Sequence, residues 1–196
     1  DLLGAPPLIG IRAKLSSQSS GRWRSSIGDK SKFGLSIPEI LEATRRLKEA
    51  NLLNELKLLH FHLGSQINDI GVLKDALQEA GQIYAELINL GAPMGYLDVG
   101  GGLGIDYDGS QTASVASTNY SLQNYANDVV ATIKECCESK KIPLPTLITE
   151  SGRAIASHFS ILIFNILGKN SLPCDIPKED EKECLFFIFF SKRFFI

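Results

Sequence analysis

Short apolar runs alternate with amphipathic segments along most of the chain. Runs with little polar alternation predict buried strands at 8–15, 56–63, 96–99 and 147–149. Apolar positions at helical spacing predict helices after Ser36, across 73–90 and after Ser121. Strands that alternate with helices predict parallel β/α units, in a doubly wound sheet or in part of a (β/α)8 barrel. A whole barrel needs about 250 residues, so four units predict half of one.

Local signals mark where these helices begin and end. The segment 36–39 (Ser-Ile-Pro-Glu) is a capping box with proline inside the first turn. Gly91 and Pro93 are placed to end the second helix, and Ser121 is placed to cap the third.

The composition argues against charge-driven binding partners and against cysteine-based metal or disulfide sites. The 196 residues are 44% hydrophobic and carry a formal net charge of −2, so charge alone favours neither nucleic acid nor an anionic membrane as a partner. The four cysteines include the adjacent Cys136 and Cys137, which suit neither a zinc pattern nor a disulfide framework.

Both ends of the sequence suggest an internal fragment of a longer protein. The first residue is Asp1, and the composition changes after about Gly168. Six of the ten phenylalanines fall within 186–196, but the apolar run 184–190 is shorter than the roughly 20 residues that span a bilayer. We therefore expect a domain over 1–168 and a tail over 169–196 that arises at a frame or exon boundary.

Three polar clusters follow predicted strands, at 60–65, 98–104 and 150–153. Ligands of parallel β/α folds bind at the carboxyl edge of the sheet, so these clusters are the candidate site. The glycines from Gly100 to Gly104 do not fit the dinucleotide pattern, because Ile105 stands at its last position. They predict either a cradle for one phosphate or a tight turn with close strand packing.

Two histidines and an acid–base pair allow several interpretations. His60 and His62 lie two positions apart on a predicted strand, so their side chains share one face. They could bind a metal as a pair, one of their rings could stack on a flat cofactor, or they could be ordinary core residues. The sequence offers no Cys, His and carboxylate pattern that completes a metal shell. Glu150 and Arg153 could form a local ion pair. Alternatively, Arg153 could bind a phosphate while Glu150 pairs with a protonated ring nitrogen.

Four motifs together resemble the pyridoxal-phosphate decarboxylases of the alanine-racemase fold, and within them the bacterial type of biosynthetic arginine decarboxylases. The motifs are Lys-Phe-Gly at 32–34, His-Phe-His-Leu-Gly-Ser-Gln at 60–66, Leu-Asp-Val-Gly-Gly-Gly-Leu-Gly-Ile-Asp at 97–106 and Glu-Ser-Gly-Arg at 150–153. The stretches 10–21 and 31–34, and Ser151 where diaminopimelate and ornithine decarboxylases usually have proline, distinguish the arginine type. The resemblance covers about 5–168 and implies the C-terminal half of a fold-type III barrel.

The resemblance implies a role for each matching position. His62 would stack on the pyridine ring, Ser65 and Gly100–Gly102 would hold the phosphate with Arg153 nearby, and Glu150 would pair with the pyridine nitrogen. The expected cofactor-binding residues are His62, Ser65, Gly100, Gly101, Gly102, Glu150, Gly152 and Arg153. The expected substrate-binding residues are Leu97, Asp98, Val99, Gly104, Ile105, Asp106 and Tyr107.

The implied reaction of the parent protein converts L-arginine to agmatine and carbon dioxide in the synthesis of polyamines such as putrescine and spermidine. The protonated ring of pyridoxal 5′-phosphate serves as the electron sink. The family also implies magnesium, for which the sequence shows no site. We expect a small-molecule substrate, a homo-oligomer in the full-length protein and a cytoplasmic location (plastidic in a plant), with no nucleic-acid or membrane partner.

The chain also departs from the family pattern. The Schiff-base lysine of the family lies upstream of Asp1, and no lysine of this chain matches its motif. The Cys and Asp that the family's C-terminal domain contributes are absent, and Cys174-Asp175 does not match their surroundings. We therefore expect no catalytic residue, and no activity, in this chain alone.

Other functions stay open at this point. They are a diaminopimelate- or ornithine-type decarboxylase, a non-catalytic regulatory relative, a metal-dependent barrel hydrolase with His60 and His62 as ligands, and a gene piece with no function of its own.

Overall fold

A computed structural model describes residues 4, 7–16 and 32–157, with the isolated positions 159, 163, 165 and 168. The chain divides into the units Asp1–Ser157 and His158–Ile196, and every element named here belongs to the first. The predicted loop 16–32, except its two ends, and the phenylalanine-rich tail lie outside the described residues.

Strands and helices alternate through the first unit. The elements are β1 (Ile9–Arg12), α1 (Ile37–Glu49), β2 (Leu56–His60), α2 (Ile70–Asn89), β3 (Tyr96–Gly101), α3 (Leu122–Lys140), β4 (Thr146–Glu150) and α4 (Gly152–Ala156). A 3-10 turn at Leu53–Glu55 leads into β2. Each strand predicted from the sequence is therefore present, although β1 and β2 end earlier than their apolar runs.

The four strands form one parallel sheet in the order β1-β2-β3-β4. A doubly wound sheet reverses its strand order at a switch point, whereas a barrel adds its strands in sequence. The observed order therefore selects the barrel interpretation over the doubly wound one.

The sheet and its helices share one hydrophobic core. Leu59, Leu77 and Leu97 are fully buried, which joins β2, α2 and β3. The long helix α2 also packs closely on α3, since a Cβ added at Gly81 would lie 2.9 Å from Cys136 Sγ. The core therefore packs β2 and β3 against α2 beneath their carboxyl ends.

The helix caps follow the local signals. The Glu39 carboxylate accepts hydrogen bonds from the Ser36 backbone N–H and hydroxyl, both at 2.7 Å, which confirms the capping box. Ser121 Oγ accepts from the Asn124 N–H at 3.1 Å at the start of α3. Helix α2 begins before its first predicted apolar position, because Asp69 Oδ1 accepts from the Gly71 N–H at 2.9 Å.

Strand β4 is less buried than its sequence predicts. Thr146, Thr149 and Glu150 are exposed, because β4 pairs only with β3 within the described part of the chain. No helix in the described ranges has the length and apolarity needed to cross a membrane.

Candidate functional site

The three polar clusters meet at the carboxyl edge of the sheet. The parallel register pairs His60 with Asp98 and Gly101 with Glu150. Arg153 follows in the first turn of α4, one residue after the strand-to-helix junction at Ser151 and Gly152. The structure therefore brings the three clusters together at the ends of β2, β3 and β4.

Arg153 is bound by neutral partners. Its Nη2 donates to Ser65 Oγ at 2.5 Å and its Nη1 donates to Gln66 Oε1 at 3.1 Å. Among the described residues, no carboxylate lies within ion-pair distance of its guanidinium, so the local ion pair with Glu150 is not formed. An exposed arginine held beside a hydroxyl, with its charge uncompensated by these residues, is suited to bind an anion such as phosphate.

Close backbone packing requires the central glycines. A Cβ at Gly101 would lie 1.9 Å from the Glu150 carbonyl oxygen, and one at Gly102 would lie 1.9 Å from the Gly64 carbonyl oxygen. No side chain fits at these distances, because both neighbours are backbone atoms. The close-packing interpretation thus has direct geometric support, and the phosphate cradle remains a prediction for these positions.

The ring of His62 is held by the glycine segment. Its Nδ1 accepts a hydrogen bond from the Gly101 N–H at 3.3 Å, which requires Nδ1 to be unprotonated. Partial desolvation lowers the pKa of His62 below its usual value, and the positive charge of Arg12 adds to this effect. His62 is an exposed residue, so the edge of the sheet presents a neutral, oriented imidazole.

His60, Asp98 and Glu150 form a compact triangle below this edge. One ligand atom from each lies within 4.8 Å of the others, close enough to share a cation. His60 Nδ1 is 2.9 Å from Asp98 Oδ2, but it is buried and has no aligned hydrogen bond. The group contains His60 without His62, so the structure does not assemble the two histidines into one metal group. Sequence spacing could not find this triangle, because its members come from three strands.

Asp98 also reaches the glycine segment. Its Oδ1 accepts from the Gly100 N–H at 2.9 Å, while its Oδ2 faces His60. One carboxylate therefore connects the triangle to the turn that carries Gly100–Gly102.

The predicted substrate-binding stretch divides between core and surface. Leu97 and Val99 have buried side chains in β3. Asp106 accepts from Ser117 Oγ at 2.5 Å, and Tyr107 is 47% exposed. Ile105, although it follows β3, is also buried, so within this stretch Asp106 and Tyr107 are the residues with side chains nearer to solvent. The predicted cofactor residue Gly152 is exposed, and a Cβ there would meet no atom within 4 Å.

Gln66 is a site residue that the sequence reasoning did not select. Its side chain bonds to both backbone polar groups of Ile105 and to Arg153. It follows Ser65 directly in the 60–66 motif, and this position is the sequence signal that could have identified it. The predicted substrate residue Gly104 lies nearby, where its N–H donates to the Ile67 carbonyl and the Tyr120 hydroxyl, both at 3.1 Å.

A family profile matches most of the chain. Residues 5–157 match "Pyridoxal-dependent decarboxylase, pyridoxal binding domain". The matched range ends where the first compact unit ends, at Ser157.

Two cyanobacterial relatives are similar over nearly the whole chain. The chain is 72% identical over 183 residues to a biosynthetic arginine decarboxylase of Parasynechococcus marenigrum and 73% identical over 183 residues to one of Prochlorococcus marinus. Each match covers 93% of this chain and 28% of the relative, so the chain spans just over a quarter of their length. Because 183 of 196 residues are matched, this similarity extends beyond residue 168, the boundary predicted from the sequence.

Two solved structures share the fold. A biosynthetic arginine decarboxylase from Campylobacter jejuni is 42% identical with a TM-score of 0.63, covering 75% of this chain and 23% of that one. A diaminopimelate decarboxylase from Helicobacter pylori, complexed with L-lysine, is 28% identical with a TM-score of 0.63, covering 79% and 36%.

Proposed function

The chain belongs to the pyridoxal-dependent decarboxylases, as its motifs predicted, and on this premise we propose that it is the cofactor-binding half-barrel of an arginine decarboxylase. The proposed reaction converts L-arginine to agmatine and carbon dioxide. Support for arginine as the substrate comes from the 72% identity to a relative that is named biosynthetic arginine decarboxylase.

One observation carries the cofactor assignment. Arg153 presents a guanidinium to Ser65 with no carboxylate partner among the described residues. A phosphate placed there would accept hydrogen bonds from a cation and a hydroxyl, the donors that phosphate sites use. The residues present therefore fit pyridoxal phosphate at its phosphate end.

Two further residues fit the ring of the cofactor. Glu150 is exposed at the end of β4, three residues before Arg153, so a carboxylate and an anion-binding group lie on the same edge. His62 presents a neutral ring whose orientation is held by the Gly101 N–H. We assign Glu150 to the pyridine nitrogen and His62 to the face of the ring.

The chemistry divides between cofactor and protein. When bound, pyridoxal phosphate supplies the electron sink for the electron pair left as carbon dioxide departs. Glu150 holds a proton at the pyridine nitrogen, because a carboxylate beside that nitrogen raises its pKa by about 1–3 units. Arg153 and Ser65 hold the phosphate, and His62 restricts the tilt of the ring. These residues bind and orient; the lysine that reacts covalently in the family has no counterpart in this chain.

The wider biological role belongs to the same proposal. The full-length enzyme acts in polyamine biosynthesis as a cytoplasmic homo-oligomer with a small-molecule substrate. The residues after β3 that lie nearer to solvent, Asp106 and Tyr107, are the proposed substrate-side positions of this chain. Magnesium is implied by the family alone, and we assign it no residue.

A substrate panel tests the proposal. The full-length enzyme that contains this sequence is incubated with L-arginine, meso-diaminopimelate and L-ornithine, with and without pyridoxal phosphate, and carbon dioxide release is measured. We expect arginine to be the preferred substrate and the activity to require the cofactor. Preference for diaminopimelate would contradict the substrate assignment. The 196-residue chain alone is expected to form no agmatine, and agmatine formation would contradict its assignment as the half without the reactive lysine.

A further inference from the structure

The side-chain amide of Gln66 uses its full hydrogen-bonding capacity. Oε1 accepts from the Ile105 N–H at 3.0 Å and from Arg153 Nη1 at 3.1 Å. Nε2 donates to the Ile105 carbonyl at 2.7 Å and to the Ser117 carbonyl at 3.4 Å. An amide has two acceptor and two donor positions, so every position is occupied and the orientation of the amide is determined.

The backbone around Gln66 directs this side chain. Gln66 has a φ of 56°, a left-handed conformation that residues other than glycine seldom adopt. The next residue is anchored at both of its polar groups, since the Ile67 N–H donates to the Gly102 carbonyl at 2.8 Å and the Ile67 carbonyl accepts from Tyr120 Oη at 2.6 Å. Strained backbone of this kind is kept where surrounding contacts enforce it, and it is common at ligand sites.

The contacts of Gln66 join two parts of the molecule. On one side is Arg153 with its hydroxyl partner Ser65. On the other is the segment 105–117, here called the β3–α3 loop, which Asn68 also holds through its Nδ2 to the Ala113 carbonyl at 2.6 Å. Asn68 contacts the loop without bonding to Arg153, whereas Gln66 bonds to both.

We propose that Gln66 is a positioning residue that couples the anion site at Arg153 to the order of the β3–α3 loop. This inference rests on the proposed function, because it takes the cofactor phosphate as the anion at Arg153. A phosphate that fixes Arg153 also fixes the Oε1 contact, and the same amide then holds Ile105 and Ser117. Binding of the cofactor thereby restrains the loop that carries the proposed substrate-side positions.

The chemistry requires an amide at this position. A carboxylate would keep the acceptor contacts but lose both donor contacts, and it would face the carbonyl oxygens of Ile105 and Ser117. It would also form an ion pair with Arg153 and compete with the phosphate for that cation. Gln66→Glu is therefore expected to weaken cofactor binding although its side chain has nearly the same volume.

Hydrogen–deuterium exchange of the full-length enzyme tests the coupling. The β3–α3 loop is followed with pyridoxal 5′-phosphate and, as a control, with pyridoxal, which lacks the phosphate. In the wild type we expect the phosphate form to slow exchange in the loop at least threefold and pyridoxal to leave it unchanged. In Gln66→Ala we expect that slowing to disappear, with the Kd for pyridoxal phosphate raised about fivefold, the size expected for the loss of one ordinary hydrogen bond.

The variant Asn68→Ala is the matched control. It loosens the same loop without removing a bond to Arg153, so exchange should be faster overall but the cofactor should slow it by the wild-type factor. Circular dichroism checks that each variant folds. If Gln66→Ala does not fold, Gln66→Glu carries the test, with the ligand-dependent slowing lost and Kd raised at least tenfold.

The outcomes separate this inference from the function on which it rests. Cofactor-dependent slowing that persists in the Gln66 variants overturns the coupling and leaves the decarboxylase proposal intact. Equal loss of the slowing in Asn68→Ala also overturns it, because the effect would then follow from loop disorder alone. A wild type that does not bind pyridoxal phosphate overturns the proposed function and this inference together.

Discussion

Arg153 Nη2 donates to Ser65 Oγ across 88 positions of the chain, although a carboxylate, Glu150, precedes Arg153 by only three. An arginine that formed an ion pair with Glu150 would offer a neutralised group to a ligand. Held instead by a hydroxyl and an amide, it keeps its charge at the carboxyl edge of the sheet, while Glu150 is left for a second task.

Removal of Arg153 is expected to weaken cofactor binding selectively. Arg153→Ala should raise the Kd for pyridoxal phosphate at least about 30-fold, because a charge-assisted bond to the phosphate is lost. The Kd of Arg153→Lys should lie between those of the wild type and Arg153→Ala. Lysine keeps the positive charge, but its ammonium group lacks the two guanidinium nitrogens that reach both Ser65 and Gln66. Fluorescence titration of the full-length enzyme measures Kd. Arg46→Ala removes an exposed arginine of α1 as the control, and an equal loss in that variant would mean that overall charge, not this site, determines affinity.

Gly101 is expected to tolerate no side chain. In Gly101→Ala the new methyl group would lie 1.9 Å from the Glu150 carbonyl oxygen, and β3 and β4 would have to separate. We expect a loss of about 3 kcal/mol or more in the free energy of unfolding, measured by urea titration. The control Gly95→Ala places its Cβ where no atom lies within 4 Å, so a change within about 0.5 kcal/mol is expected. Equal stability of the two variants would contradict the close packing described here.

Glu150 is expected to affect turnover more than binding. In Glu150→Gln the neutral amide no longer favours a proton on the pyridine nitrogen, a change of about 1–3 pKa units at that atom. We expect kcat of the full-length enzyme to fall about 100-fold, while the Kd for pyridoxal phosphate stays within about threefold. Glu138→Gln, at an exposed position of α3, is the control. A large rise in Kd with unchanged kcat would reassign Glu150 to cofactor binding alone.

The capping box of α1 is expected to make stability depend on acid pH. Hydrogen bonds from the Ser36 backbone N–H and hydroxyl hold the pKa of Glu39 below its usual value of 4.5. The folded state therefore favours the ionised form, so this stabilisation is present above the usual pKa and is lost as the pH falls through the lowered one. Urea midpoints should differ between wild type and Glu39→Ala at pH values above 4.5. The two midpoints should converge as the pH falls below the lowered pKa of Glu39. Glu135→Ala, at an exposed position of α3, should show no such convergence. A constant difference for Glu39→Ala would contradict the assignment.

Tertiary contacts bear on the alternatives that the sequence left open. The spacing of Glu150 and Arg153 was consistent with a local ion pair or with an anion site; the structure does not form the ion pair, because Arg153 donates to Ser65, and the anion site stays a prediction. The glycines were consistent with a cradle or with close packing, and the 1.9 Å approach at Gly101 supports the second. The sequence predicted no role for Gln66, because the four hydrogen bonds of its side chain go to three residues that lie 39, 51 and 87 positions away.

The elements, their order and the edge of the sheet where the polar clusters meet could be predicted from the sequence alone. Caps such as Ser36 and Ser121 act on backbone groups within one turn, and strand and helix periodicity depends on near neighbours, so both can be read from local residues. Which side chains bond to one another at that edge could be known only once the strands were packed together. The triangle of His60, Asp98 and Glu150 depends on the register of three strands and on the twist between them, which no local pattern specifies.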